Sequence, residues 1–125
     1  MSGEDLVERA RTVAARAYAP YSSYFVGAVV LARDGRTFEG VNVENAAYPL
    51  GVCAERVAIS RAVVEGGCRP GDLEAIGITA SPCGGCRQWL WEFRLDSVTF
   101  ANTSGEVVTY SPGDLLPETW ELPDA

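Results

Sequence analysis

Cys53-Ala54-Glu55 and Pro82-Cys83-Gly84-Gly85-Cys86 each stand where a helical pattern begins, so a fold that uses both strings must bring two helix amino termini to one place. Such termini carry unpaired backbone N–H groups and the positive end of the helix dipole, which favour thiolates and donate hydrogen bonds to sulfur. Side by side, the two would gather three thiolates. Zinc takes tetrahedral nitrogen and sulfur ligands, and three protein ligands leave its fourth position for solvent, the arrangement of a catalytic site. Glu55 lies two residues from a candidate ligand, close enough to reach that position without binding the metal. The chain contains no histidine, which excludes imidazole-based hydrolase schemes. All basic residues are arginine, so no Schiff-base or phosphate-loop lysine exists either.

The rest of the chain supplies a frame for those strings. Ser2 and Asp5 form a capping-box pattern, and Leu6, Ala10, Val13, Ala14 and Ala17 recur at helical spacing, predicting a helix over 3–18 that Pro20 stops. Val26–Ala32 reads as a strand buried on both faces. Asp34-Gly35 then turns the chain into an antiparallel partner at Thr37–Asn42. After an irregular stretch over Asn42–Val52, a helix runs from Cys53 to about Glu65, with Val57, Ala58, Ile59 and Ala62 inward, and Gly66-Gly67 ends it. A strand at Leu73–Thr79 leads almost directly into a helix that reaches about Phe93. Strands follow at Ser97–Ala101 and Val107–Tyr110, and Ser111-Pro112 opens a short last helix. This order implies one domain over 1–125, of α/β class: a three-layer α/β/α sandwich around one mixed five-stranded sheet.

Cys-Ala-Glu followed by Pro-Cys-Gly-Gly-Cys-Arg-Gln resembles the zinc-dependent cytidine deaminase family, in its small form with three cysteine ligands. Pro20-Tyr21-Ser22, Val26-Gly27-Ala28, the run from Gly40 to Tyr48 and Leu115-Leu116-Pro117 are similar to family segments in the family's order. The resemblance implies a cytidine deaminase-like fold and hydrolytic removal of the 4-amino group of cytidine and deoxycytidine. It implies one Zn²⁺ per subunit on Cys53, Cys83 and Cys86, which makes water acidic near neutrality, and Glu55 as base and then acid. Arg56 would draw charge from a cysteine sulfur, with Arg87 a second candidate, although both residue types equally suit surface ion pairs. Asn42 and Glu44 share one side of an extended segment and would hold the ribose 3′-hydroxyl, a carboxylate there also disfavouring a nucleotide phosphate. Without the resemblance, Asn-x-Glu before a loop is ordinary turn chemistry.

Ala54 and the aromatics Tyr24 and Trp120 complete the implied substrate site. Tyr24 and Trp120 stand where the family carries phenylalanine, Trp120 reaching a neighbouring subunit's pocket or else simply packing the carboxy-terminal segment. Trp89, Trp91 and Phe93 read as core or interface residues. The link between Leu73–Thr79 and Ser81 is short for the family, which puts the rim of the site and the subunit packing in question. The family implies a homotetramer with pockets completed across interfaces. A net charge of −7 disfavours nucleic acid as a partner, and the absence of a long apolar run or a basic, apolar leader suggests the cytoplasm. Alternatives remain: a deaminase for a modified cytosine nucleoside of the blasticidin type, a four-thiolate structural zinc site that includes Cys68, disulfides, or a Cys-x-x-Cys redox pair.

Overall fold

The computed structural model describes residues 1–123. Its elements are α1 (Gly3–Ala14), β1 (Gly27–Ala32), β2 (Thr37–Val41), α2 (Ala54–Gly66), β3 (Leu73–Ile78), α3 (Gly84–Glu92), β4 (Ser97–Ala101), β5 (Val107–Tyr110) and α4 (Pro112–Leu115). The order matches the sequence expectation, with a single 3-10 turn at Tyr48–Leu50 added inside the irregular stretch.

The strands form one sheet in the order β2-β1-β3-β4-β5, antiparallel except for the parallel pair β3 and β4 that α3 connects. All six residues of β1 are buried, because helices cover both faces at the middle of the sheet. Val29, Leu31 and Ala75 face Leu6, Ala10 and Val13 of α1. On the other face Ala28, Val30, Ile76 and Val98 pack with Ala58, Ile59 and Ala62 of α2, Leu90 of α3 and Leu115 of α4. The three expected layers are therefore present, and Trp89 and Phe93 stack on each other at 6.3 Å and pack against this second core. Val57, expected inward, is only half-buried.

Close approach of backbone to backbone sets where α2 begins. A Cβ on Gly40 would strike the Ala54 carbonyl and the Ala58 nitrogen, so only glycine lets β2 lie flat against the first turn of α2. Gly27 allows the same approach of β1 to Ala10 and Ala14 of α1. Gly35, with φ of 94°, makes the β1–β2 turn.

The first helix ends at Ala14, not at residue 18. Arg16 and Ala17 donate to the Val13 and Ala14 carbonyls in a tightened last turn, and Tyr18 then leaves the helix to donate to the Asn42 carbonyl at 3.1 Å. Glu44 returns a bond to the Tyr18 carbonyl at 2.9 Å, while Val43 exchanges both backbone bonds with Val52. Segment 42–44 is thus threaded between Tyr18 and Val52 as a small extension of the sheet. Val26 and Asn42, expected at strand ends, fall just outside β1 and β2, because the Val26 N–H is taken by the Asn42 side chain.

Candidate metal centre and active site

Gly27, Val41, Ile78 and Phe100 lie at one end of the sheet. At that end β3 and β4 present their carboxyl ends, and α2 and α3 begin. Open α/β sheets bind ligands in such a place.

The caps of the four helices divide by position. Ser2 caps α1 in a reciprocal capping box with Asp5, and Ser111 caps α4 by accepting from the Asp114 N–H. Cys53 caps α2 and Cys83 caps α3, both in extended backbone and neither making a side-chain cap bond. Giving up a serine-type cap forgoes about 1 kcal/mol at each helix, so the exchange makes sense only if sulfur has another partner. The first-turn N–H groups of both helices are left pointing toward the sulfurs' end.

The sulfurs of Cys53, Cys83 and Cys86 all lie within 4.8 Å of one another, and Cys53 and Cys83 are 3.9 Å apart. Tetrahedral zinc–thiolate bonds of about 2.3 Å put sulfurs about 3.8 Å apart, so the cluster has the right size. Contact with Cys86, then Cys83, with Arg56 nearby, pulls the Cys53 thiol down to about 6, whereas contact with Cys53 and burial push Cys86 far up. Glu55, in the first turn of α2, is 4 % exposed, and burial, followed by the charge of Cys53, holds its carboxyl above the usual range. Cys68 is also buried, but it lies beyond the end of α2 with its sulfur 4.0 Å from an Arg36 nitrogen, and it is not part of the triad.

Arg56 packs its guanidinium over Gly85, where any Cβ would collide with it. Its proton is held more tightly than usual chiefly by Cys86, yet its buried Nε has no hydrogen-bond partner among the described residues. An orphaned cationic donor beside a thiolate cluster fits an anionic metal–sulfur unit. Arg87 is placed differently from the expectation that it also serves a sulfur. Its Nε donates to the Pro82 carbonyl at 3.0 Å and a terminal nitrogen donates to the Leu115 carbonyl at 3.1 Å, so it braces the Pro82–Cys86 loop against α4.

Asn42 and Glu44 do share a side, and both are spent on the loop over 20–26. Asn42 accepts from the Val26 N–H and donates to the Tyr24 carbonyl, each at 2.9 Å. Glu44 Oε1 accepts from the N–H groups of Tyr21 and Ser22 at 3.0 and 3.1 Å, and Oε2 accepts from the Ser22 hydroxyl in a short contact. Hydrogen bonding from Ser22 keeps the Glu44 carboxyl below its usual range. The plain turn role is therefore real, and Glu44 also lines a cleft of about 370 Å³ with Tyr21, Ser22, Asn45, Tyr48 and Gly51. Ser22 was not singled out from the sequence, because its partner is 22 residues away. Ala54, fully buried, opens α2 against Gly40. Tyr24 and Trp120 are 62 % and 65 % exposed, and Trp120 lies beside Trp91 and Arg94. The cysteines and Glu55 do not line the 370 Å³ cleft.

A three-layer scaffold that commits two helix amino termini to three thiolates and one buried carboxylate belongs to the class of metal-dependent hydrolases. The family model for the cytidine and deoxycytidylate deaminase zinc-binding region matches residues 1–102, which include all three cysteines and Glu55. A cytidine deaminase of Sporosarcina psychrophila is 36 % identical, with 99 % of this chain and 95 % of that one covered. One from Mycobacterium tuberculosis is 38 % identical over 92 % of this chain and 86 % of its own length. The crystal structure of cytidine deaminase from Burkholderia pseudomallei superposes with a TM-score of 0.87 at 41 % identity, covering 96 % of this chain and all of that one. The chain belongs to the zinc-dependent cytidine and deoxycytidylate deaminase family. Zinc, one per subunit, is its cofactor.

Proposed function

We propose that this protein hydrolyses cytidine and deoxycytidine to uridine and deoxyuridine with release of ammonia, as one catalytic domain. The observation that carries the reading is the buried Glu55 carboxylate beside a thiolate triad of zinc dimensions, within a chain so similar to named cytidine deaminases. Cys53, Cys83 and Cys86 would hold the ion, which supplies Lewis acidity that makes water a nucleophile near neutral pH. Glu55 takes a proton from the attacking water and passes it to ring N3. As the C4–N bond breaks, the same carboxylate takes the remaining proton from the new hydroxyl on C4 and gives it to the departing amine, which leaves as ammonia while C4 becomes a carbonyl. Arg56 draws charge from Cys86, which keeps three thiolates from quenching that acidity. Glu44 and Asn42 receive the sugar, and a phosphate on the sugar would meet the Glu44 carboxylate, so nucleosides are preferred over nucleotides. Ala54 and Tyr24 bound the base.

Subunit assembly completes the site. Tyr21, Tyr24, Phe25, Tyr48 and Leu50 are all exposed apolar residues of the loops over 18–25 and 42–52, a concentration that suits burial against further copies in a homotetramer. In that assembly Trp120 enters a neighbour's pocket. No helix among the described residues is long and apolar enough to cross a membrane, and we place the enzyme in the cytoplasm.

Ultraviolet absorbance with cytidine, deoxycytidine, cytosine, dCMP and blasticidin tests the function directly. Turnover of the first two with little on the others is expected. Turnover of blasticidin alone would move the assignment to modified nucleosides. The four-thiolate alternative is tested by Cys68→Ala, which should retain one zinc per chain and near-parental rates. Its cost in stability is about 1 kcal/mol from lost packing.

A further inference from the structure

We infer that Ser22 is a positioning residue for nucleoside recognition, setting the Glu44 carboxylate so that one lone pair stays aimed at a sugar hydroxyl. The inference rests on the function proposed above and adds a residue to it. A carboxylate offers about four acceptor sites. Glu44 Oε1 uses both of its sites on the backbone N–H groups of Tyr21 and Ser22, and Oε2 uses one on the Ser22 hydroxyl. A single acceptor site therefore remains, on Oε2, and Glu44 lines the cleft. The two backbone bonds fix Oε1 as a pivot. The Ser22 hydroxyl decides where Oε2 sits about that pivot.

The same hydroxyl accepts from the Tyr24 N–H at 3.0 Å, so one oxygen ties the sugar-facing carboxylate to the backbone of the base-facing aromatic. Next to it Ser23 has a φ of 58°, an unusual conformation for a residue with a side chain, and its N–H donates to the Ala19 carbonyl at 3.0 Å. A loop that accepts this geometry needs an anchor, and the Glu44–Ser22 pair supplies it across 22 residues. Ser22 is itself exposed, so its hydroxyl is not required by the core.

The test separates positioning of Glu44 from general support of the loop. Deoxycytidine and 2′,3′-dideoxycytidine differ only in the 3′-hydroxyl. Ser22→Ala should lose about tenfold in kcat/KM on deoxycytidine, mostly through KM, the size expected for misplacing one hydrogen bond to a charged group. On dideoxycytidine, measured both as substrate and as competitor of deoxycytidine, the loss should be less than about twofold. Ser22→Thr, which keeps the hydroxyl at an exposed position, should return deoxycytidine to within about twofold of the parent. Equal losses on both nucleosides, or no rescue by threonine in a variant that melts like the parent, would overturn the role of Ser22. Parent enzyme that binds zinc yet neither turns over nor is inhibited by either nucleoside would overturn the functional reading instead.

Discussion

Glu55→Gln will keep one zinc per chain and the parental melting temperature while kcat falls by about 10²–10⁴-fold, the range for loss of a general acid–base group. Glutamine matches glutamate in shape, so the packing around a residue that is 4 % exposed is preserved. The substitution adds no charge to the interior, so no new buried charge is stranded. What is lost is proton traffic. An amide cannot take a proton from water and cannot deliver one to the ring or to the amine. Because one carboxyl serves both transfers, no second residue is available to carry half of the work. Among the described residues the buried polar or charged side chains are Glu55 and Thr99, and Thr99 pairs with Thr109 on the far strands β4 and β5. Metal content by elemental analysis and cytidine turnover by absorbance decide the matter together. Retained zinc with a rate within tenfold of the parent would remove Glu55 from the chemistry.

The element order and the layers were legible because they rest on local signals: apolar periodicity, Asp34-Gly35, Gly66-Gly67 and serine caps at Ser2 and Ser111. The metal cluster was legible for a related reason. Helix starts are marked in sequence, and cysteine at two of them is an odd enough cap to demand a use. What was not legible were uses decided by distant partners. Ala17 continues the helical pattern of α1, but Tyr18 gains a strand-like partner in segment 42–44, and that pairing wins. Arg87 follows a cysteine directly, yet the helix turns it toward Pro82 and Leu115 and leaves Arg56, on the other helix, over Gly85. Asn42 and Glu44 could be singled out for a sugar, but not the second use of their side chains, which also bond the loop over 20–26. Adjacency in sequence sets which residues are near one another, and only packing decides which way each side chain is used.

The second large effect is expected from the ligands, and it should differ between two cysteines that the metal treats alike. Cys86→Ala and Cys83→Ala each leave two thiolates, and each should release zinc and abolish turnover. The loss in affinity should exceed the ~10–100-fold that follows removal of a mere outer partner. Their folded states should not suffer equally. Cys86 is fully buried within α3 and beside the core, whereas Cys83 is exposed at the cap position. With metal stripped by a chelator, Cys83→Ala should unfold in urea within about 0.5 kcal/mol of the stripped parent, as an exposed substitution does. Cys86→Ala should lose about 1 kcal/mol more, the cost of an unfilled atom-sized gap. Zinc added back should raise the melting temperature of the parent, since a ligand that binds only the folded state stabilises it by mass action, and should do little for either variant. The contrast separates binding from packing. A Cys83→Ala protein that still held stoichiometric zinc and turned over cytidine would show that two sulfurs suffice, and the three-thiolate centre would have to be abandoned.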